Sequence, residues 1–193
     1  MARFLKDKQQ AKGTAPGSLI FIGQQKLKHT KIIVRQYNNN YFKEGELKSF
    51  SNLTEYLSDD HITWFSLFGL HDIQLIENLG TTFNINSLIL EDILNTDERP
   101  KFIEDEYHIF IIAKNLEYDP VASKVQMEQI SIIAGKNYLI SIQETETDHF
   151  QDICRRLSAK QAKIRNYTTD YLCYALMDTL VDSYILNIEK LGS

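Results

Sequence analysis

The hydrophobic period of this chain changes for good after Glu144, and that change limits what it can fold into. Before it, runs rich in β-branched and aromatic residues occupy residues 31–37, 62–68, 107–118, 127–134 and 138–143, with a shorter run at 19–22. Gly, Asn and Asp clusters separate them, so they read as strands. Gly135-Lys136-Asn137 is a hairpin connection and Tyr118-Asp119-Pro120 a turn. Asn38-Asn39-Asn40 is a loop, because Asn side chains satisfy local backbone groups and tolerate left-handed geometry. After Glu144 apolar residues fall at Phe150, Ile153, Cys154 and Leu157. From about Thr168 they recur at Tyr174, Met177, Val181, Tyr184, Ile188 and Leu191, in steps of three and four, which is the spacing of a long helix with an apolar seam.

Helical spacing also interrupts the strands. Ile73, Ile76 and Leu79 share a face with Gly80 as the stop, and Asn86 or Ser87 caps a helix over residues 88–94. Short links between the later strands imply antiparallel neighbours. The fold expected is α/β: a three-layer αβα sandwich with a central mixed β-sheet, ending in the start of a long amphipathic helix. At 193 residues the chain suffices for one domain with its own core. That domain is placed at 17–193, after a Lys- and Gln-rich stretch at 1–16 that reads as a flexible tail.

A formal charge of −5 gives no bulk attraction to nucleic acid or anionic membrane, and cations are the more natural partners. The longest apolar stretch, around residues 109–113, is far shorter than the roughly 18 to 20 residues of a spanning helix. No signal-peptide pattern opens the chain. Cys154 and Cys173 lie in apolar helical patterns without C-x-x-C spacing, so they read as reduced core thiols, in keeping with a cytoplasmic setting. The histidines His29, His61, His71, His108 and His149 show no paired metal-ligand spacing, and the P-loop, G-x-G-x-x-G and G-x-S-x-G signatures are missing. No enzyme is expected. Arg155, Arg156, Lys160, Lys163 and Arg165 read as a solvated or salt-bridged face, and Trp64 as core.

The acids carry the remaining signal. Asp178 and Asp182 stand four apart on one helical face, where like charges cost roughly 0.2–0.5 kcal/mol in an isolated helix. A divalent cation would reverse that sign, and Mg2+ commonly meets one or two carboxylates while keeping several waters; a solvated surface face is the other reading. Glu91 and Asp92, about 100° apart on a helix, point to different neighbours. Compensation of the helix dipole, or pairing with Arg99 or Lys101, explains them equally.

Four stretches in order carry a family likeness: Thr63-Trp64-Phe65-Ser66-Leu67-Phe68-Gly69-Leu70-His71; Leu90-Glu91-Asp92-Ile93-Leu94-Asn95 with Arg99-Pro100-Lys101; Glu128-Gln129-Ile130-Ser131 through Gln143-Glu144; and the helix from Asp170 to Tyr184. From about Pro16 onward the chain resembles the cytosolic domain of the CorA family of magnesium and cobalt channels. That resemblance implies a regulatory domain that senses intracellular Mg2+ at subunit interfaces and gates import. It implies Glu91, Asp92 and Asp178 as metal-site residues, with Asp182 as an outer acid. The position matching Asp92 faces an acid on a neighbouring subunit's stalk helix in that family, and those matching Glu91 and Asp178 line an adjacent site. The implied ion is weakly bound Mg2+, with Co2+ beside it. The implied partners are the neighbouring subunits of a homopentamer at the cytoplasmic face of the inner membrane, with no nucleic acid, and membrane contact only through a C-terminal region. The family's two membrane helices and Gly-Met-Asn motif have no counterpart in this sequence, and its helical pattern continues past Gly192-Ser193, so the sequence is expected to end before stalk and pore. The alternatives are the cytosolic domain of a related zinc transporter, or a soluble α/β ligand-binding domain or enzyme using the sheet edge and His71-Asp72.

Overall fold

Seven strands form one sheet in a computed structural model that describes residues 17–48, 52–119, 124–147, 149–160 and 162–192. They are β1 (Lys31–Asn38), β2 (Tyr41–Glu46), β3 (Ile62–Phe68), β4 (Lys101–Glu104), β5 (Ile109–Asp119), β6 (Lys124–Ala134) and β7 (Tyr138–Gln143), in the spatial order β2-β1-β3-β7-β6-β5-β4. All neighbours are antiparallel except β3 and β7, where Phe65 lies opposite Ile140. β3 sits mid-sheet and is covered on both faces, which is why residues 62–68 read as a continuous apolar run.

Alternation along the strands builds two cores. Ile32, Val34, Phe65, Leu67, Phe110, Ile112, Ile140 and Ile142 face α1 (Ile73–Phe83) and α2 (Ser87–Leu94). Trp64, Ile111, Ala113, Ile130, Ile132 and Leu139 face α3 (Gln151–Ser158) and α4 (Thr169–Gly192). The result is the three-layer αβα sandwich with a mixed sheet, closed by a long C-terminal helix. The stretch at 1–16 and Pro120 lie outside the described residues, while Tyr118 and Asp119 of the expected turn instead extend β5, paired with Val125 and Lys124.

Local chemistry corrects three expectations and accounts for two strands outside them. Residues 19–22 make no strand: only Ile22 pairs, its N–H donating to Leu94 O (2.9 Å) while its carbonyl accepts from Thr96 N (2.9 Å). Gly80 does not end α1, which runs on to Phe83 and turns at Asn84, the residue with positive φ (53°). Gly80 serves instead as a point of close approach, since a Cβ there would stand 2.3 Å from Leu90 Cδ1 of α2. The edge strands β2 and β4 had no counterpart in the sequence reading and lack apolar alternation, because each pairs on one side and carries charges, the composition that blunts sheet edges. On α4 the sheet-facing residues are Leu172, Cys173, Ala175, Leu176 and Leu180, while Tyr174, Val181 and Ile188 of the expected seam are 62%, 50% and 63% exposed. Small Cys173 and Ala175 let the helix lie close to the sheet, and Asn187 fastens its far end by donating to Leu116 O (2.7 Å) and accepting from Tyr118 N (2.9 Å).

Candidate functional site

The eight-residue α2 begins at its Asn86 cap, whose Oδ1 accepts from Leu88 N (2.9 Å). Glu91 and Asp92 therefore fall in its second half, toward the negative C-terminal end of the helix dipole. Acids there add to the negative end of the helix dipole, so compensation of the N-terminal dipole does not explain them. Each has a donor. Glu91 Oε2 accepts from Gly17 N–H (2.8 Å). Asp92 Oδ2 lies 2.9 Å from Lys101 Nζ, which is also 3.3 Å from Glu98 Oε1. Lys101 rather than Arg99 supplies the side-chain charge; Arg99 contributes its backbone N–H to Glu98 (3.2 Å). Burial pushes the Glu98 carboxyl up, but the Arg99 amide, Lys101 and Asn95 outweigh it and hold the group below its ordinary value.

Buried polar groups fix this end of α2 to the sheet. Gln129 Nε2 donates to Ile93 O (3.0 Å) and Asp92 O (3.4 Å), while Lys114 Nζ donates to Thr96 O (2.7 Å) and Gln129 Oε1 (2.9 Å). Burial lowers the Lys114 pKa, although Glu144 opposes it. Its carbonyl and amide partners satisfy the desolvated ammonium.

On the opposite side of the sheet, Asp178 and Asp182 line a groove of about 540 Å³ bounded by α3, β5 and α4. Both are exposed. Asp152 and Glu117 add further carboxylates to the walls, against Arg156 and Lys190. His149 also lines this groove, its Nε2 2.7 Å from Glu128 Oε2, and Glu128 also accepts from Thr145 N (2.7 Å). Oxygen donors on a mainly acidic wall suit a hard cation that keeps part of its hydration shell.

The structure brings Asp178 and Asp182 to one groove and Glu91 and Asp92 to one helix end, but sets the two pairs on opposite faces of the sheet. Among the described residues, no three His, Cys, Asp or Glu side chains are placed to hold a metal ion together. Asp72 is the cap of α1, accepting from Leu75 N (3.0 Å). Glu98 escaped the sequence reading because it reaches Asp92's counter-ion through the turn after α2 and not by helical spacing. The Glu128–His149 pair did carry a signal, an acid inside an apolar strand.

Residues 59–193 match the family model described as CorA-like Mg2+ transporter protein. The chain is 33% identical over 180 residues to the cobalt/magnesium transport protein CorA of Thermotoga maritima, covering 93% of this chain and 51% of that protein. It thus spans about half the length of that relative. Among solved structures it is similar to the full-length CmaX protein (TM-score 0.67, 14% identity, 88% of this chain and 50% of that one). It is similar to the soluble domain of CorA from Methanocaldococcus jannaschii (TM-score 0.59, 18% identity, 82% and 60%) and to the ZntB cytoplasmic domain from Vibrio parahaemolyticus (TM-score 0.60, 15% identity, 83% and 62%). At these identities the structural likeness is one of fold. The family match takes in well over half of the sequence, with the acids of both α2 and α4 inside it, and the chain belongs to the family of CorA-like Mg2+ transporter proteins.

Proposed function

We propose that this chain is the cytosolic regulatory domain, residues 17–193, of a divalent-cation channel that admits Mg2+ or Co2+ at the cytoplasmic face of the inner membrane. Glu91, Asp92 and Asp178, with Asp182 as an outer acid, take up Mg2+ between neighbouring subunits of a homopentamer. Occupancy holds the pore closed. When internal Mg2+ falls, the bridge between subunits is lost, acids left without a counter-ion repel, the ring loosens, and import follows. Repulsion between two charges about 4 Å apart is near 1 kcal/mol in water and several times larger near a protein surface, so a few such pairs can bias a two-state equilibrium. No enzymatic step is assigned to the chain.

The observation that carries this reading is the placement of the α2 acids and the α4 acids in opposite helical layers. A single copy cannot direct both pairs at one ion, whereas a site between copies can use one pair from each. Isolated affinity is then weak, since every site within one chain is half complete. Calorimetry of this chain against Mg2+, Co2+ and inorganic phosphate tests the reading. Weak heats with both metals that vanish in Asp178→Asn support it; tight phosphate binding indifferent to that substitution refutes it.

A further inference from the structure

The strongest feature beyond that reading is the cation already present beside Asp92. One ammonium, that of Lys101, stands 2.9 Å from Asp92 Oδ2 and 3.3 Å from Glu98 Oε1. The two acids come from different elements, α2 and the turn that follows it, yet converge on the same nitrogen. All three side chains are shielded, with exposures of 29% for Lys101, 20% for Asp92 and 24% for Glu98. The place favours positive charge for two reasons, the paired carboxylates and the C-terminal carbonyls of α2 beside them.

We propose that Lys101 is a built-in competitor for the divalent cation at Asp92, setting how much Mg2+ is needed to occupy that carboxylate. The inference rests on the reading of Asp92 as a cation-binding residue and names what regulates it. Mg2+ bonds oxygen directly at about 2.0–2.1 Å. An ammonium at hydrogen-bond distance from the same carboxylate repels the incoming ion, so the lysine leaves as the metal arrives. Its exit is unobstructed by sheet pairing, because Lys101 opens β4, an edge strand bonded only to β5. The consequence is a sensor whose threshold is raised by its own side chain. Glu98 holds the lysine in place while the carboxylate is metal-free and becomes a second oxygen donor once it is displaced.

The test uses Mn2+, a paramagnetic ion with the same preference for carboxylate oxygen, and follows the broadening of the Asp92 and Glu98 backbone amide signals by NMR. Broadening is local, so it reads weak occupancy at this end of α2. Lys101→Met keeps most of the alkyl stem and removes the charge. It is expected to lower the Mn2+ concentration for half-broadening by about 2- to 5-fold, the factor corresponding to a partly exposed ion pair. Lys101→Gln should act in the same direction and serves where the Met variant folds poorly, and excess Mg2+ should reverse the broadening in both. Equal half-broadening concentrations in the native chain and both variants, with broadening lost in Asp92→Asn, overturn the competition while leaving Asp92 a cation-binding residue. Absence of any Asp92-dependent broadening in every chain overturns both.

Discussion

Glu98 shows how much one carboxylate can depend on its surroundings. Its carboxyl titrates below its ordinary 4.5 in the folded chain, because the Arg99 amide, Lys101 and Asn95 favour the charged form against burial. A carboxylate with a depressed folded pKa gives stability that is fully present above its unfolded pKa and disappears as pH falls through the folded value. Glu98→Gln cannot titrate, so urea unfolding midpoints measured from neutral pH into acid should fall less steeply in the variant. The acid limb should persist, because Asp105 is also held low, by the Tyr107 and His108 amides (2.8 Å each); a limb as steep as that of the native chain refutes the assignment. Sequence alone exposed some of this scale. The i,i+4 spacing of Asp178 and Asp182 put them on one face, and both do line one groove. It offered Lys101 beside Arg99 as a partner for Glu91 and Asp92 but could not choose between them or bring in Glu98, because the Asp92–Lys101–Glu98 meeting depends on a turn whose course is set by Ile22 pairing with Asn95 and by Lys114 holding Thr96 O.

At the scale of elements, α1 and α2 pack through Gly80, and a Cβ there would meet Leu90 Cδ1 at 2.3 Å and Cγ at 3.3 Å. Gly80→Ala adds about 1 kcal/mol of helix propensity, while a methyl forced into a filled core costs about 1–3 kcal/mol. Leu90 is 5% exposed and has little room to turn, so overpacking wins. Thermal unfolding should show a lower midpoint in Gly80→Ala, whereas a rise would mean that Leu90 yields freely. The sequence placed this glycine correctly as special but for the wrong reason, since a helix stop and a close approach leave the same mark in a single chain. The edge strands were illegible for a related reason: β2 and β4 are defined by pairing with β1 and β5, and Lys43, Glu44 and Glu104 mask any alternation. α4 was legible as a helix but not in its orientation, because polar Ser183 and Asn187 face β5 while Val181 and Ile188 face outward.

For the whole molecule, the proposed cation sites between copies, combined with the separation of the two acidic pairs by a sheet, fix how those copies would meet. A site joining Glu91 of one copy to Asp178 of the next is heterologous, with different surfaces at its two ends, and such contacts propagate until a ring closes. Glu91→Gln is a suitable probe, because its amide oxygen can still accept from Gly17 N–H while its charge is gone. Asp178→Asn is equally conservative, as the native carboxylate is exposed on α4. Sedimentation velocity with Mg2+, at protein concentrations high enough for a weak site, should show the native chain forming species larger than dimers. Either variant alone should stay monomeric, since every contact lacks one carboxylate. A mixture of the two restores one complete pairing, Glu91 from the Asp178→Asn chain with Asp178 from the Glu91→Gln chain, and leaves both outer ends defective. Mixing should therefore yield dimers and nothing larger. Association of either variant alone to the native extent would show that these carboxylates do not share an ion between copies, and failure of the mixture to associate while the native chain does would show that they do not face one another.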